Sequence, residues 1–177
     1  MQNVETKRLI LRKLNINDLN DFHAYCKKTN IGPMAGWSPH LSVAESEFIL
    51  RDMIIKDEVM AIVYKENNKL IGTLGFHPYK DIENAREVGF VLDDLYWGKG
   101  LMVEVCKEAF KEIFSDNILE LYCGHFAHNF RSRRVIEKLG FRLYKIDTDD
   151  RFKTYTDKVY LYQMNKEDYL GEENEWI

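Results

Sequence analysis

The sequence predicts an α+β domain built on one central, mixed, mostly antiparallel sheet flanked by helices. Three observations lead there. Two strand-like runs within "EVMAIVYKENNKLIGTLGFHPY" are joined across Asn67-Asn68, a hairpin pattern that demands antiparallel neighbours. The stretch "DDLYWGKGLMVEV" (93–105) sets two glycines between an apolar run and a long amphipathic helix, and the strand-like "ILELYCGH" (118–125) follows that helix. A strand-helix-strand crossing of this kind implies a locally parallel pair. No Ser/Gly/Pro-rich stretch, repeat or low-complexity run divides the 177 residues, which contain 3 Pro and 10 Gly, so a single domain over 1–177 is expected.

The elements follow in order. "RLILRKL" (8–14) alternates apolar and charged residues in part and reads as a strand; a helix around 17–28 follows, with Asn15 or Asn17 as its cap. A second helix is predicted over 42–55, where Ser42 and Glu45 have capping-box spacing. After the hairpin, "REVGFVLD" (86–93) is a fourth strand. The helix expected from about 98 to 115 repeats apolar side chains at Met102, Val105, Cys106, Ala109, Phe110 and Ile113, one face at helical spacing. Asn129 to Leu139 reads as a short helix, and "GFRLYKID" with "KTYTDKVYLYQM" as two closing strands.

Composition narrows the function classes. Hydrophobic residues make up 45% and charged ones 31% of the chain, as in soluble globular proteins. The 25 Lys+Arg against 29 Asp+Glu give a formal net charge of -4, which offers no general footprint for nucleic acid or an anionic membrane. Polar residues follow Met1, and no apolar run approaches the roughly 20 residues of a membrane span. A cytoplasmic location is therefore expected. Cys26, Cys106 and Cys123 are too few and too scattered for a disulfide framework or zinc site and read as buried thiols. His125 and His128 have no Cys, Asp or Glu at ligand spacing, so no metal is expected.

A glycine pair between a strand and a helix leaves consecutive backbone N–H groups uncovered where the helix dipole also favours negative charge. Such a place suits phosphate. Gly98-Lys99-Gly100 fits neither G-x-x-x-x-G-K-[ST] nor G-x-G-x-x-G, which excludes the familiar NTPase and dinucleotide loops. Taken alone, the pair is equally well explained as a tight turn.

Together, "EVGFVLDDLYWGKGLMVEV", "HNFRSRRVIEKLGF" and "ETKRLILRKL" resemble the GNAT superfamily of acetyl-CoA-dependent N-acetyltransferases, within it the ribosomal-protein N-terminal acetyltransferase-like (RimJ/RimL-type) branch. "MAGWSPHLSVAES" and "KLIGTLGF" look like the same branch, so the resemblance covers nearly the whole chain. It implies the GNAT fold, with a splayed parallel strand pair, and acetyl-CoA as cosubstrate.

By that resemblance, the pyrophosphate-gripping loop falls on Trp97, Gly98, Lys99, Gly100, Leu101 and Met102. Trp97 stands where the family has Arg or Gln, and Met102 where it has a small residue; the two glycines matter more, because backbone N–H groups hold the phosphates. Lys99 either adds a charge or is solvated. Backbone around Phe90, Val91 and Leu92 pairs with the pantetheine arm in the family, and Asn129 matches an Asn that contacts it, though an Asn there also serves as a plain N-cap. Ser132 would face the thioester sulfur.

Acetyl transfer needs a neutral amine, an oxyanion donor and a proton for the thiolate. Glu87, beside the cleft, is the candidate base, directly or through water, with a solvated edge charge as the other reading. A backbone N–H near Leu92 is the candidate oxyanion donor. Many members place a tyrosine acid seven residues after the helix Asn; Ile136 occupies that position here, which leaves Ser132 to bond the leaving sulfur. Acceptor recognition is expected at Trp37, His40, Phe76 and His77, with packing over the edge of the core as the other reading of the same residues. With reference pKa values near 7.7–8.0 and 10.4, roughly one α-amine in ten is neutral at pH 7 against about one lysine in two thousand. The expected acceptor is accordingly a protein or peptide α-amine, with a small-molecule amine or a non-catalytic acetyl-CoA sensor as alternatives. The sequence is compatible with a monomer or a homodimer, and the acidic "KEDYLGEENEW" reads as a solvated tail, with attraction of a cationic acceptor as the other reading.

Overall fold

A computed structural model describes residues 2–147 and 158–174. One sheet of eight strands runs through it: β1 (Val4–Glu5), β2 (Leu9–Lys13), β3 (Val59–Tyr64), β4 (Lys69–Tyr79), β5 (Ile82–Leu92), β6 (Glu120–Phe126), β7 (Arg142–Asp147) and β8 (Val159–Asn165). Their spatial order is β1-β2-β3-β4-β5-β6-β8-β7. Every neighbouring pair is antiparallel except β5 and β6. The helix between those two explains the exception, since only a crossover returns a chain parallel to itself.

The helices are α1 (Leu19–Cys26), α2 (Gly32–Ala35), α3 (Val43–Lys56), α4 (Leu101–Ser115), α5 (Phe130–Lys138) and α6 (Lys166–Asn174). Buried side chains of α4, namely Val105, Cys106, Ala109 and Phe110, pack with Ile62, Leu74 and Leu121 in one core layer. On the other face of the sheet, Phe22, Tyr25 and Leu50 of α1 and α3 pack on Ala61 and Val63. The sheet is thus covered on both sides, and all three cysteines are buried and free.

Local chemistry sets the boundaries. Asn15 caps a 3-10 turn over Ile16–Asp18 and Asp18 returns the bond to the Asn15 N–H, a reciprocal box that precedes α1. At α3 the Ser42 hydroxyl accepts from Glu45 N–H at 3.1 Å, but the Glu45 carboxylate reaches the Leu41 N–H, one residue before the expected partner. Asn68 takes a left-handed φ of 55° in the β3–β4 turn, which Asn tolerates.

Several expectations are corrected. The fourth strand begins at Ile82, earlier than Arg86, because the β4–β5 hairpin extends to Tyr79↔Ile82. The helix expected from 98 starts at Leu101, because Gly98 and Gly100 both have φ of +74° and cannot belong to a right-handed helix. The acidic segment read as a tail forms α6 over its first nine residues, with Tyr169 against Phe110 and Phe114. Strand β1 and the single turn α2 were too short to leave a periodic signal. Of the strand expected from Lys153, residues 153–157 lie outside the described residues.

One polar cluster ties the start of the chain to α4. The Glu104 carboxylate accepts from Thr6 Oγ1 at 2.6 Å, from Arg8 N at 2.9 Å and from Arg8 Nε at 2.7 Å. Burial opposes its ionisation, yet the Thr6 and Arg8 bonds together hold its pKa below the usual carboxylate value. A depressed folded-state pKa adds stability above the unfolded value and loses it as pH falls through the folded one. Glu104→Gln should therefore cost about 1–2 kcal/mol at pH 7, a fall of roughly 2–8 °C in Tm by thermal unfolding. The deficit should shrink below about pH 4 as the wild-type carboxylate protonates.

Candidate active site

The parallel pairing of β5 and β6 runs from Ala85↔Glu120 to Val88↔Cys123 and stops. Both strands continue, to Leu92 and Phe126, without pairing to one another. The strands therefore splay, and a cavity of about 860 Å³ opens there, walled by Gly89, Phe90, Leu92, Gly124 and Phe126.

Register decides which backbone groups face this gap. Asp93 N–H donates to Ile71 O at 2.8 Å, so Gly72↔Leu92 is a pair whose own polar groups point away from each other. Alternation puts Phe90 in the same class, opposite Leu74. The N–H groups of Phe90 and Leu92 are therefore turned toward the missing neighbour. The Leu92 carbonyl is already occupied, accepting from the Trp97 indole Nε1 at 2.7 Å.

At the mouth of the gap stands the N-terminus of α4. Ser42 and Asn129 cap α3 and α5 with side-chain bonds, whereas the N-cap of the 15-residue α4 is Gly100, with no side-chain bond to the first turn. Its leading N–H groups and dipole are left for a ligand. A Cβ on Gly98 would meet nothing within 4 Å, and one on Gly100 only Arg8 Nη2 at 3.9 Å. Left-handed backbone, rather than crowding by protein, requires glycine at both positions. The space a side chain would fill is open to the cavity. Leu101 and Met102 send their side chains into the core, so only their backbone faces outward.

The loop is braced from three sides. Lys28 Nζ bonds Asp93 at 2.6 Å and Asp94 at 2.5 Å, and Asn30 Nδ2 bonds Asp94 at 2.9 Å. The Lys28 ammonium, aided by Asn30, holds the Asp94 carboxyl far below the usual range. Arg131 of α5 stacks on Trp97, its guanidinium carbon 4.5 Å from the ring centre, while Lys99 Nζ lies 5.1 Å from the Tyr96 ring centre.

Phe90, Val91, Leu92, Trp97, Gly98, Gly100, Leu101, Met102, Asn129 and Ser132 are brought to this one cavity, and so are Trp37, His77 and Glu87. Asn129 arrives with its amide engaged: Oδ1 accepts from Ser132 N–H at 3.1 Å and Nδ2 donates to Met34 O at 2.9 Å. Ile136 is fully buried in the core, so its position does not face the cleft.

Two expected acceptor residues do not reach the cleft. Phe76 alternates to the opposite face of β4, where its ring meets Phe110 edge-on at 6.3 Å. His40 is buried, its Nδ1 2.8 Å from Ser46 Oγ and its ring 5.1 Å from Trp37, so it supports the cavity wall from behind. Burial lowers the His40 pKa, as expected for a core imidazole. Sequence reasoning missed Glu58, whose carboxylate lies 2.7 Å from His77 Nδ1 inside the cavity. Nineteen residues separate them, and only the β3–β4 register brings them together.

Residues 8–142 match the family described as acetyltransferase (GNAT) domain. The chain belongs to the GNAT acetyltransferase family. It is an acetyl-CoA-dependent N-acetyltransferase. The chain is 25% identical over 97% of its length to an uncharacterized N-acetyltransferase, p20, of Bacillus licheniformis, all of which is covered. A GNAT-family acetyltransferase from Bacillus anthracis superposes with a TM-score of 0.85 at 20% identity, covering 93% of this chain and 99% of the other. A ribosomal-protein-S5-alanine acetyltransferase from Vibrio fischeri (TM-score 0.74, 19% identity, 94% and 98% covered) also shares the fold. So does a spermidine N-acetyltransferase from Vibrio cholerae, solved with CoA and spermine (TM-score 0.76, 20% identity, 92% and 98% covered). At these identities the structural likeness establishes the GNAT fold and leaves the acceptor open. Among the described residues, no helix is long and apolar enough to cross a membrane.

The open gap, two outward N–H groups and an uncapped helix N-terminus fit the extended pantetheine arm and diphosphate of acetyl-CoA. Gly100→Val forces a branched residue into left-handed backbone, at about 1–2 kcal/mol, and fills the phosphate approach. Acetyl-CoA affinity measured by calorimetry should fall at least about tenfold, more than in Gly100→Ala, which carries the same strain with a smaller side chain.

Proposed function

We propose that this N-acetyltransferase acts on the α-amino group of a protein or peptide, as the RimJ/RimL-type motifs of the sequence suggest. The observation that carries the reading is the acceptor side of the cavity. There Trp37 and Met53 give apolar walls, and the carboxylates of Glu58, just before β3, and of Glu87, on β5, line the cavity on either side of the intervening β4. Such a wall attracts an ammonium group while leaving room for an apolar first side chain. An α-amine also needs the least help in becoming neutral.

Of the two outward N–H groups, that of Phe90, next to the point where the strands part, polarises the thioester carbonyl, that of Leu92 is left to the pantetheine arm, and Glu87 draws the cationic amine to the same point. Ser132, in the first turn of α5, hydrogen-bonds the departing sulfur, because the tyrosine position seven residues after Asn129 holds the core residue Ile136. The amine arrives from the face of the sheet that carries α1 and α3, and the thioester from the gap between β5 and β6.

Incubation with acetyl-CoA and a panel of peptides, amino acids and polyamines, with free thiol and acetylated product measured, tests the acceptor. Peptides with free N-termini should release thiol and gain one acetyl group at the α-nitrogen. Faster turnover of spermidine or another small amine would reassign the acceptor. Ser132→Ala should lower kcat by roughly tenfold, the equivalent of one hydrogen bond near 1.4 kcal/mol, with acetyl-CoA affinity nearly unchanged. An unaltered kcat would remove Ser132 from the reaction.

A further inference from the structure

We infer that His77, held through Nδ1 by Glu58, is the base that takes the proton from the acceptor amine. This rests on the acetyl-transfer reading above and names the group that makes the nitrogen nucleophilic. Three observations place it. The Glu58 Oε2 lies 2.7 Å from His77 Nδ1, and the Glu58 backbone is itself fixed, its carbonyl accepting from Phe76 N–H at 2.9 Å. A carboxylate at Nδ1 accepts its proton and leaves the Nε2 lone pair of the neutral ring free on the side away from Glu58, over Gly75 and Gly89.

Second, the sheet is cleared for the ring. Gly75 is two residues before His77 on the same face, and a Cβ there would come 2.6 Å from Nε2. Gly89, the cross-strand partner of Gly75, would bring a Cβ to 3.8 Å from Nε2. No other positions in these strands bring bare backbone beneath the imidazole. Third, Gly89 is the first residue of β5 beyond the last pair with β6, so Nε2 stands over the place where the two strands part. His77, Gly75, Gly89 and Glu58 all line the same cavity.

The charged groups lining the cavity around this ring are Glu58 just before β3, Glu87 opposite on β5, the Asp52–Lys56 ion pair of α3, and Arg131, Arg134 and Lys138 of α5. Glu87 was the base expected from sequence. The clearing where the strands part lies under the imidazole of His77, and Glu87, opposite it on β5, is left to attract the ammonium. The side chains of His77 and Glu58 are 43% and 31% exposed, reachable by a substrate.

The ammonium R–NH3+ gives one proton to Nε2, which passes it to water. The neutral nitrogen attacks the thioester carbon, forming C–N and sending the carbonyl pair to oxygen. On collapse the C–S bond breaks with its pair on sulfur, and the second nitrogen proton ends on that sulfur as thiol. His77 is the catalytic residue and Glu58 a positioning residue.

The test starts with the wild type, for which the amine panel gives acceptor-dependent thiol release. His77→Gln should lower kcat/KM at pH 7 by about 100-fold and abolish the acidic limb of its pH profile, while calorimetry gives an unchanged heat and affinity for acetyl-CoA. Added imidazole should restore turnover to His77→Gly. Glu58→Ala should slow the wild type but add nothing in the His77→Gln background, a non-additivity expected of a unit. Nitrogen NMR of the imidazole, independent of turnover, should give the Nδ1–H tautomer for the neutral ring, lost in Glu58→Ala. A His77→Gln enzyme with wild-type rate and pH profile, or a Glu87→Gln enzyme that alone loses the acidic limb, overturns the inference. A wild type that binds acetyl-CoA yet releases no thiol with any amine overturns the acetyl-transfer reading itself, and the base with it.

Discussion

Everything at the active site follows from the point at which two parallel strands stop pairing. Strands β5 and β6 share hydrogen bonds only as far as Val88 and Cys123. Beyond that point each keeps its other partner, β4 and β8, so neither loses its place in the sheet. The result is an interior edge in the middle of a folded sheet, where backbone donors face an empty strand position. An unpaired donor buried away from water is costly. An extended ligand that accepts those bonds supplies what a ninth strand would have supplied.

The second component is a helix whose N-terminus lacks a side-chain cap. A Ser or Asn before α4 would have satisfied the first turn from within the chain, as Ser42 and Asn129 do elsewhere. Two left-handed glycines instead turn the chain tightly from β5 into α4 and leave its amides bare. Such a loop is conformationally loose on its own, since glycine has the most freedom to lose. Contacts offset this: within the segment the Trp97 indole on Leu92, and from distant parts of the chain Lys28 on Asp93 and Asp94 and Arg131 over Trp97. The His77–Glu58 pair in the cavity is likewise held by paired strands, brought together by the register of β3 and β4.

Much of this was legible in the sequence, and what was legible was local. The hairpin at Asn67-Asn68, the apolar face of α4, the Ser42 cap and the glycine pair each declare themselves within a dozen residues. The residues expected to hold the cosubstrate lie mostly in one contiguous stretch between Phe90 and Met102, and those of them that line the cavity stay together because β5 runs straight into the glycine turn. Residues whose role depends on pairing register were not. Phe76 and His77 are adjacent in sequence and face opposite sides of the sheet, so the strand that brings His77 to the cavity carries Phe76 into the core. His40 faces inward because Ser46 and Trp37 enclose it, which no spacing rule announces. Glu58, next to His77 in space, gave no signal at all.

The account turns on whether backbone amides at the strand gap and at the start of α4 hold acetyl-CoA. Hydrogen–deuterium exchange, with and without acetyl-CoA, reads those amides directly. Protection should appear at Phe90, Leu92 and the amides from Gly98 to Val103, with little change in the core of α4. Binding that protects some other surface, or leaves these amides exchanging as before, would contradict it.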